Sequence, residues 1–189
     1  MAFFYFDAKY PTKSNLRGLL SSILVQLCNK SDQCYGLLSQ SYSKHNDGTE
    51  VPSEASLVAC LKRTIKVLGQ EPVYLIIDGL DECLNATGTP SEREKVMVLL
   101  RDLITLPYPN NLHVCVTSGL EHDIRSALEP LTSAGSPVSL HEENGQKGDI
   151  MYYVDSLVNE DREMRNWGEE DRHRVIKSLS ERTGGMYGA

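Results

Sequence analysis

The 189-residue sequence has no apolar run long enough to cross a membrane and no cysteine pattern typical of a secreted protein. A membrane-spanning helix needs about 20 predominantly apolar residues. The five cysteines are odd in number and form no C-x-x-C pair, a pattern typical of proteins in a reducing compartment. The start, Met1 to Phe6, is apolar but lacks the basic segment of a signal peptide. These absences favour a cytoplasmic protein without a membrane partner.

Positive charge is also scarce, since 19 Lys and Arg stand against 26 Asp and Glu, giving a formal net charge of −7. That excess has the wrong sign for a protein that binds nucleic acid. The histidines and cysteines lack the ligand spacing of a zinc site, and no G-x-S-x-G nucleophile motif is present. What remains is an acidic globular composition, 40% hydrophobic and 24% charged.

Short apolar runs alternate along the chain with segments in which apolar residues recur at helical spacing. Such alternation predicts parallel strands joined by right-handed helical crossovers, in a sheet covered on both faces. The unbroken run from Val73 to Ile77 agrees, because a strand buried on both faces shows no polar alternation. We place a domain boundary after residue 148, between an α/β core (1–148) and the start of a helical extension (149–189). The predicted strands are 2–6, 73–77, 113–117 and 137–140, and the predicted helices of the core are 16–27, 33–44, 54–68, 91–106 and 123–131.

Three acidic residues follow the second predicted strand, in the sequence V-Y-L-I-I-D-G-L-D-E that begins at Val73. Ligands of parallel sheets bind beyond the carboxyl ends of the strands, so we expect the Asp78 carboxylate to point into that crevice. A carboxylate there suits Mg²⁺, which takes oxygen ligands and bridges to phosphates. Asp81 and Glu82 would add carboxylates able to polarise an attacking water. The alternative is structural: Asp78 caps the turn, and the other two acids are solvated loop charges.

Two hydroxyl side chains, Thr117 and Ser118, follow the third predicted strand. If the two strands are neighbours about 4.8 Å apart, Thr117 faces the same metal or phosphate as Asp78. The alternative is that the hydroxyls cap the following helix.

With these motifs the chain resembles the NACHT domains of STAND-type P-loop NTPases, particularly the nephrocystin-like segments of fungal NOD-like receptor proteins. Y-L-I-I-D-G-L-D-E-C is similar to the Walker B motif of that family, and V-T-S-G-L-E-H-D-I-R-S-A-L is similar to its sensor-1 region. The resemblance implies a three-layer, P-loop-NTPase-like α/β fold whose parallel sheet lacks its first strand here, followed by a C-terminal helical extension. It also implies Mg²⁺ with ATP or GTP. By the same resemblance Asp78 holds the metal, Asp81 and Glu82 are catalytic, and Thr117 and Ser118 contact the nucleotide.

Two departures from that family lower the expected activity. The sequence contains no G-x-x-x-x-G-K-[ST], the Walker A motif that offers backbone N–H groups and a lysine to the phosphates. Losing three charge-assisted contacts at about 1.5–3 kcal/mol each removes roughly three to six decades of affinity. In addition, Gly119 stands where the family's sensor arginine reaches the γ-phosphate. We therefore expect that the chain neither binds nor hydrolyses nucleotide by itself.

Three functions stay open at this point. The leading one is a degenerate or truncated NACHT-like regulatory or signalling module. The second is a fragment of an active ATP- or GTP-dependent STAND NTPase whose P-loop lies upstream. The third is a non-enzymatic protein-interaction domain. Because a sheet without its first strand has open edges, we expect protein partners, through self-association or a NACHT-type oligomer.

Overall fold

The computed structural model describes residues 1–69, 71–85, 90–106, 111–132, 144–162 and 164–182. The chain divides into two compact units, Met1–Ala134 and Gly135–Ala189. The predicted strand at 137–140 lies outside the described residues. The boundary predicted after residue 148 falls within a helix that begins at Asn144, so the exact division into domains stays a prediction.

The first unit has an α/β fold, in which three parallel strands alternate with helices across the described residues. The predicted strands and helices of this part are confirmed, and their ends agree to within three residues. The strands are β1 (Ala2–Tyr5), β2 (Val73–Asp78) and β3 (Leu112–Val116), and the α-helices are α1 (Leu16–Cys28), α2 (Asp32–Lys44), α3 (Glu54–Val67), α4 (Glu92–Ile104) and α5 (His122–Leu128).

Polar side chains fix where three of these helices begin. Asn15 caps α1 by accepting a hydrogen bond from the backbone N–H of Gly18 at 2.9 Å. Ser53 caps α3 in the same way. Ser91 and Glu94 form a reciprocal capping box at the start of α4, each accepting the other's backbone N–H. Each cap thereby satisfies one of the backbone N–H groups that the first turn of its helix leaves without an intrahelical partner.

The three strands lie in the order β1-β2-β3, so the chain moves across the sheet in one direction. Leu75 in the central strand pairs with Ala2 on one side and Val114 on the other. Right-handed crossovers that step the same way place their helices on the same face of a sheet. This rule explains where the hydrophobic core lies.

The core occupies one face of the sheet, against the crossover helices. Leu75 is fully buried and Ile77 nearly so. Leu20 of α1, Leu61 of α3 and Leu100 of α4 belong to the same buried cluster. Burial of such apolar side chains supplies the main stabilisation of this unit.

The opposite face of the sheet is open in the described part of the chain. Phe3, Tyr5 and Tyr74 there are 43%, 53% and 47% exposed. The expectation of a sheet covered on both faces is confirmed for one face, and for the other it stays a prediction.

The second unit contains the helices α6 (Asn144–Glu160) and α7 (Glu169–Arg182). Val154, Val158 and Ile176 form its buried cluster. The predicted C-terminal helices are therefore confirmed. No helix in the described ranges is long and apolar enough to span a membrane.

Candidate functional site

The carboxyl ends of β2 and β3 meet at Asp78 and Thr117. The Thr117 hydroxyl donates a hydrogen bond to Asp78 Oδ1 and accepts one from the Gly79 N–H at 3.0 Å. The ladder continues past the strands, since the Leu80 N–H donates to the Thr117 carbonyl at 3.0 Å. The two strand ends are therefore adjacent, as the sequence predicts.

A tight turn after β2 sets the direction of the other two acids. Gly79 has φ 67° and ψ 43°, in the left-handed region that glycine adopts without strain. The 3₁₀ turn Leu80–Glu82 follows, and the fully buried side chain of Leu80 anchors it in the core. Asp81 is left half-buried, and Glu82 is exposed.

Asp81 and Glu82 each accept a hydrogen bond from a neighbouring loop. Asp81 Oδ1 accepts from the Gly119 N–H at 2.8 Å, in the loop that follows β3. Glu82 Oε2 accepts from the Ala8 N–H at 3.1 Å, in the loop that follows β1. The three acids thus connect the ends of all three strands. Their catalytic and metal-binding roles stay predictions.

Gly119 closely approaches the Asp81 carboxylate. A Cβ atom at position 119 would lie 3.1 Å from Asp81 Oδ2, tighter than ordinary van der Waals contact. A longer side chain would press on that carboxylate. The Ser118 hydroxyl donates to the Gly119 carbonyl at 2.9 Å, and its nucleotide contact stays a prediction.

Arg93 supports this turn from the interior, and the sequence analysis missed it. The residue is 7% exposed; its guanidinium donates to the carbonyls of Asp81 and Cys83. Its Nη1 atom lies 3.3 Å from Asp123 Oδ2 and 3.7 Å from Glu121 Oε2. The sequence did contain one signal of this role: Arg93 is a cation in the first turn of a helix, where the helix macrodipole disfavours positive charge.

Two ionisable groups next to the turn have shifted pKa values. Burial raises the pKa of the Cys83 thiol to about 12, and the Glu92 charge adds to the rise. Burial alone would also raise the pKa of Glu92. The hydrogen bonds from Lys95 and from the Leu16 N–H, together with the positive charge of Lys95, outweigh this effect of burial. The pKa of Glu92 therefore lies below its usual range. Glu92 is thereby a charged link between α4 and the start of α1.

The site offers oxygen donors of the kind that Mg²⁺ prefers. The Asp78 carboxylate and the Thr117 hydroxyl lie side by side, and Mg²⁺ is commonly held by one or two carboxylates together with waters and phosphates. No group of three or more His, Cys, Asp or Glu that could hold a metal occurs within the described ranges. Asp78 and Thr117 could supply two oxygen ligands to a magnesium ion, and the role of the metal stays a prediction.

One comparison with known proteins gave a match. The family model described as nephrocystin 3, N-terminal, matches residues 1–119. That span contains the three described strands and the site residues Asp78, Asp81, Glu82, Thr117, Ser118 and Gly119. The comparisons with curated proteins and with solved structures gave no match.

Proposed function

The chain belongs to the nephrocystin 3 N-terminal family, and we propose that it is a NACHT-like regulatory or signalling module with a Walker-B-like strand end. In this proposal Asp78 is the magnesium-binding position, Asp81 and Glu82 are the water-polarising positions, and Thr117 with Ser118 faces the phosphates. The bound magnesium would offset phosphate charge and orient the phosphate oxygens. The module works in the cytoplasm through protein partners, by self-association or in a NACHT-type oligomer.

One observation carries this proposal: the hydrogen bond from Thr117 to Asp78, which joins the ends of two neighbouring parallel strands. A carboxylate and a hydroxyl at this place are oriented before any ligand arrives. Thr117 can hold the Asp78 carboxylate toward the crevice, while the left-handed Gly79 lets the backbone turn away.

The position of Arg93 supports the proposal that the chain does not hydrolyse nucleotide by itself. The Arg93 guanidinium lies beneath the turn and is already bound to two carbonyls and to Asp123, so it is not placed to bind phosphate. The sequence supplies no Walker A lysine. In the described part of the chain, Arg93 therefore does not provide the acids with a second cation for a triphosphate.

A non-enzymatic interaction domain is the second candidate, and a different observation favours it. Asp81 and Glu82 both accept backbone hydrogen bonds from neighbouring loops. Backbone hydrogen bonds of this kind stabilise the two loops whether or not the carboxylates take part in chemistry. In that case alanine at these two positions would lower stability and leave every signalling output of a folded variant unchanged.

Calorimetric titration with Mg·ATP and Mg·GTP tests the leading proposal. We expect no saturable heat with the full chain up to about 1 mM nucleotide, where the binding free energy is about 4 kcal/mol. Micromolar binding that Asp78→Asn abolishes would contradict the proposal and favour an NTPase that is complete in this chain.

A further inference from the structure

The first strand, β1, lies at an edge of the described sheet and has a sequence that favours strand pairing. Residues 1–6 have the sequence M-A-F-F-Y-F, which contains no charge, no proline and no glycine. Segments of about six residues with this kind of composition pair readily with strands of other chains when they lie at an open edge. In the described sheet β1 pairs with β2 alone, so its outer edge is the place where such pairing could begin.

The backbone groups of Phe3 face that outer edge. The Phe6 N–H donates a hydrogen bond to the Asp78 carbonyl at 2.9 Å, so the backbone groups of Phe6 face β2. Backbone groups of successive strand residues point to alternate sides, and Phe3 lies three residues before Phe6. The N–H and the carbonyl of Phe3 therefore point away from β2, to the side where an added strand would bind them.

The side chain of Gln26 binds both of these backbone groups. Its Nε2 donates to the Phe3 carbonyl at 2.7 Å, and its Oε1 accepts from the Phe3 N–H at 3.0 Å. A side-chain amide carries the same kinds of donor and acceptor as a peptide group. Gln26 therefore lies where the peptide group of a neighbouring strand would lie, and it makes the two hydrogen bonds that this strand would make.

Helix α1 holds Gln26 in this position. Ile23 and Leu27 are each 2% exposed, and they fix the neighbouring stripe of the helix in the core. Ser22 lies one helical turn before Gln26, and its hydroxyl oxygen accepts a further hydrogen bond from Nε2 at 3.1 Å. Because the amide is already oriented, an incoming strand has to break two formed hydrogen bonds to reach Phe3.

From these contacts we propose that Gln26 closes the β1 edge to strand addition by a second copy of the chain. A second copy is the competing partner because identical segments of this composition pair with one another. Two hydrogen bonds of ordinary strength favour the closed edge by about tenfold or more. Self-association of the chain then uses a surface other than the β1 edge.

The rate of self-association in solution tests this role of Gln26. We expect Gln26→Ala to associate about tenfold faster than the unaltered chain at equal protein concentration, measured by light scattering, because the Phe3 groups are then unpaired. Gln33→Ala is the control, since Gln33 is exposed on α2 and the chemical change is the same. Equal rates for the two variants would overturn the proposal.

Proline at position 3 distinguishes strand addition from aggregation of unfolded chains. Proline has no N–H, and the Phe3 N–H points away from β2, so the edge strand can accept proline there. We expect Phe3→Pro in the Gln26→Ala background to restore the association rate of the unaltered chain, with an unchanged circular dichroism spectrum. Fast association that persists in the double variant would overturn the proposal. So would an oligomer of the unaltered chain that Phe3→Pro alone dissociates, because that oligomer would use the β1 edge.

Discussion

Replacing Arg93 with alanine is expected to lower the free energy of unfolding by about 2–4 kcal/mol. The guanidinium is buried and serves the carbonyls of Asp81 and Cys83 as well as the Asp123 carboxylate. Alanine would leave both carbonyls without a partner and remove the packed aliphatic stem. Asp123 is 38% exposed, so in the variant water can solvate its carboxylate. Loss of this ion pair therefore contributes only part of the destabilisation.

Urea denaturation followed by circular dichroism measures this difference. Arg125→Ala is the control, because Arg125 is 69% exposed and its i,i+4 pair with Glu129 should contribute less than about 0.5 kcal/mol. The loss of stability in Arg93→Lys should lie between those of the two alanine variants, because lysine keeps the positive charge but lacks the planar guanidinium group. Equal losses for Arg93→Ala and Arg125→Ala would contradict the role given to Arg93.

Alanine at two helical glycines is expected to change stability in opposite directions. At Gly18, in the first turn of α1, an added Cβ would lie 1.9 Å from the Thr12 carbonyl oxygen. That atom belongs to the backbone, so the preceding turn must move, and Gly18→Ala should cost about 1–3 kcal/mol. At Gly36, in α2, a Cβ meets nothing within 4 Å, so Gly36→Ala should stabilise by about 0.5–1 kcal/mol through helix propensity.

The midpoint temperature of thermal unfolding of each variant, compared with that of the unaltered chain, gives the sign of its change in stability. The variants make the same chemical change in the same type of element, so propensity alone predicts equal gains. A stabilised Gly18→Ala variant would show that the approach of Thr12 to α1 is not part of the folded protein.

The elements of this fold could be predicted from local patterns because their signals are local. Asn15, Ser53 and Ser91 precede apolar helical periods, and each caps its helix. The position of Asp78 beside Thr117 followed from a general property of parallel sheets, whose carboxyl strand ends share one edge.

The features that were missed depend on contacts between distant segments. The position of Arg93 in the first turn of α4 indicates an unusual cation but not its partner, because Asp123 lies on α5, 30 residues further along the chain. The hydrogen bond from Gly119 to Asp81 joins two loops across the sheet edge, and no local pattern encodes it. The exposure of Tyr74 was missed because its apolar ring extends the hydrophobic run of β2 whether or not anything covers it.

The central claim is that two neighbouring strand ends meet through Asp78 and Thr117, and a double-mutant cycle tests it most directly. Urea denaturation of Asp78→Ala, Thr117→Ala and the double variant measures the coupling between the two side chains. The hydrogen bond predicts a coupling free energy of about 1–2 kcal/mol, because a hydroxyl donates to a charged carboxylate. Losses that add to within about 0.3 kcal/mol would show that the two side chains act independently, and the proposed Walker-B-like site would lose its structural basis.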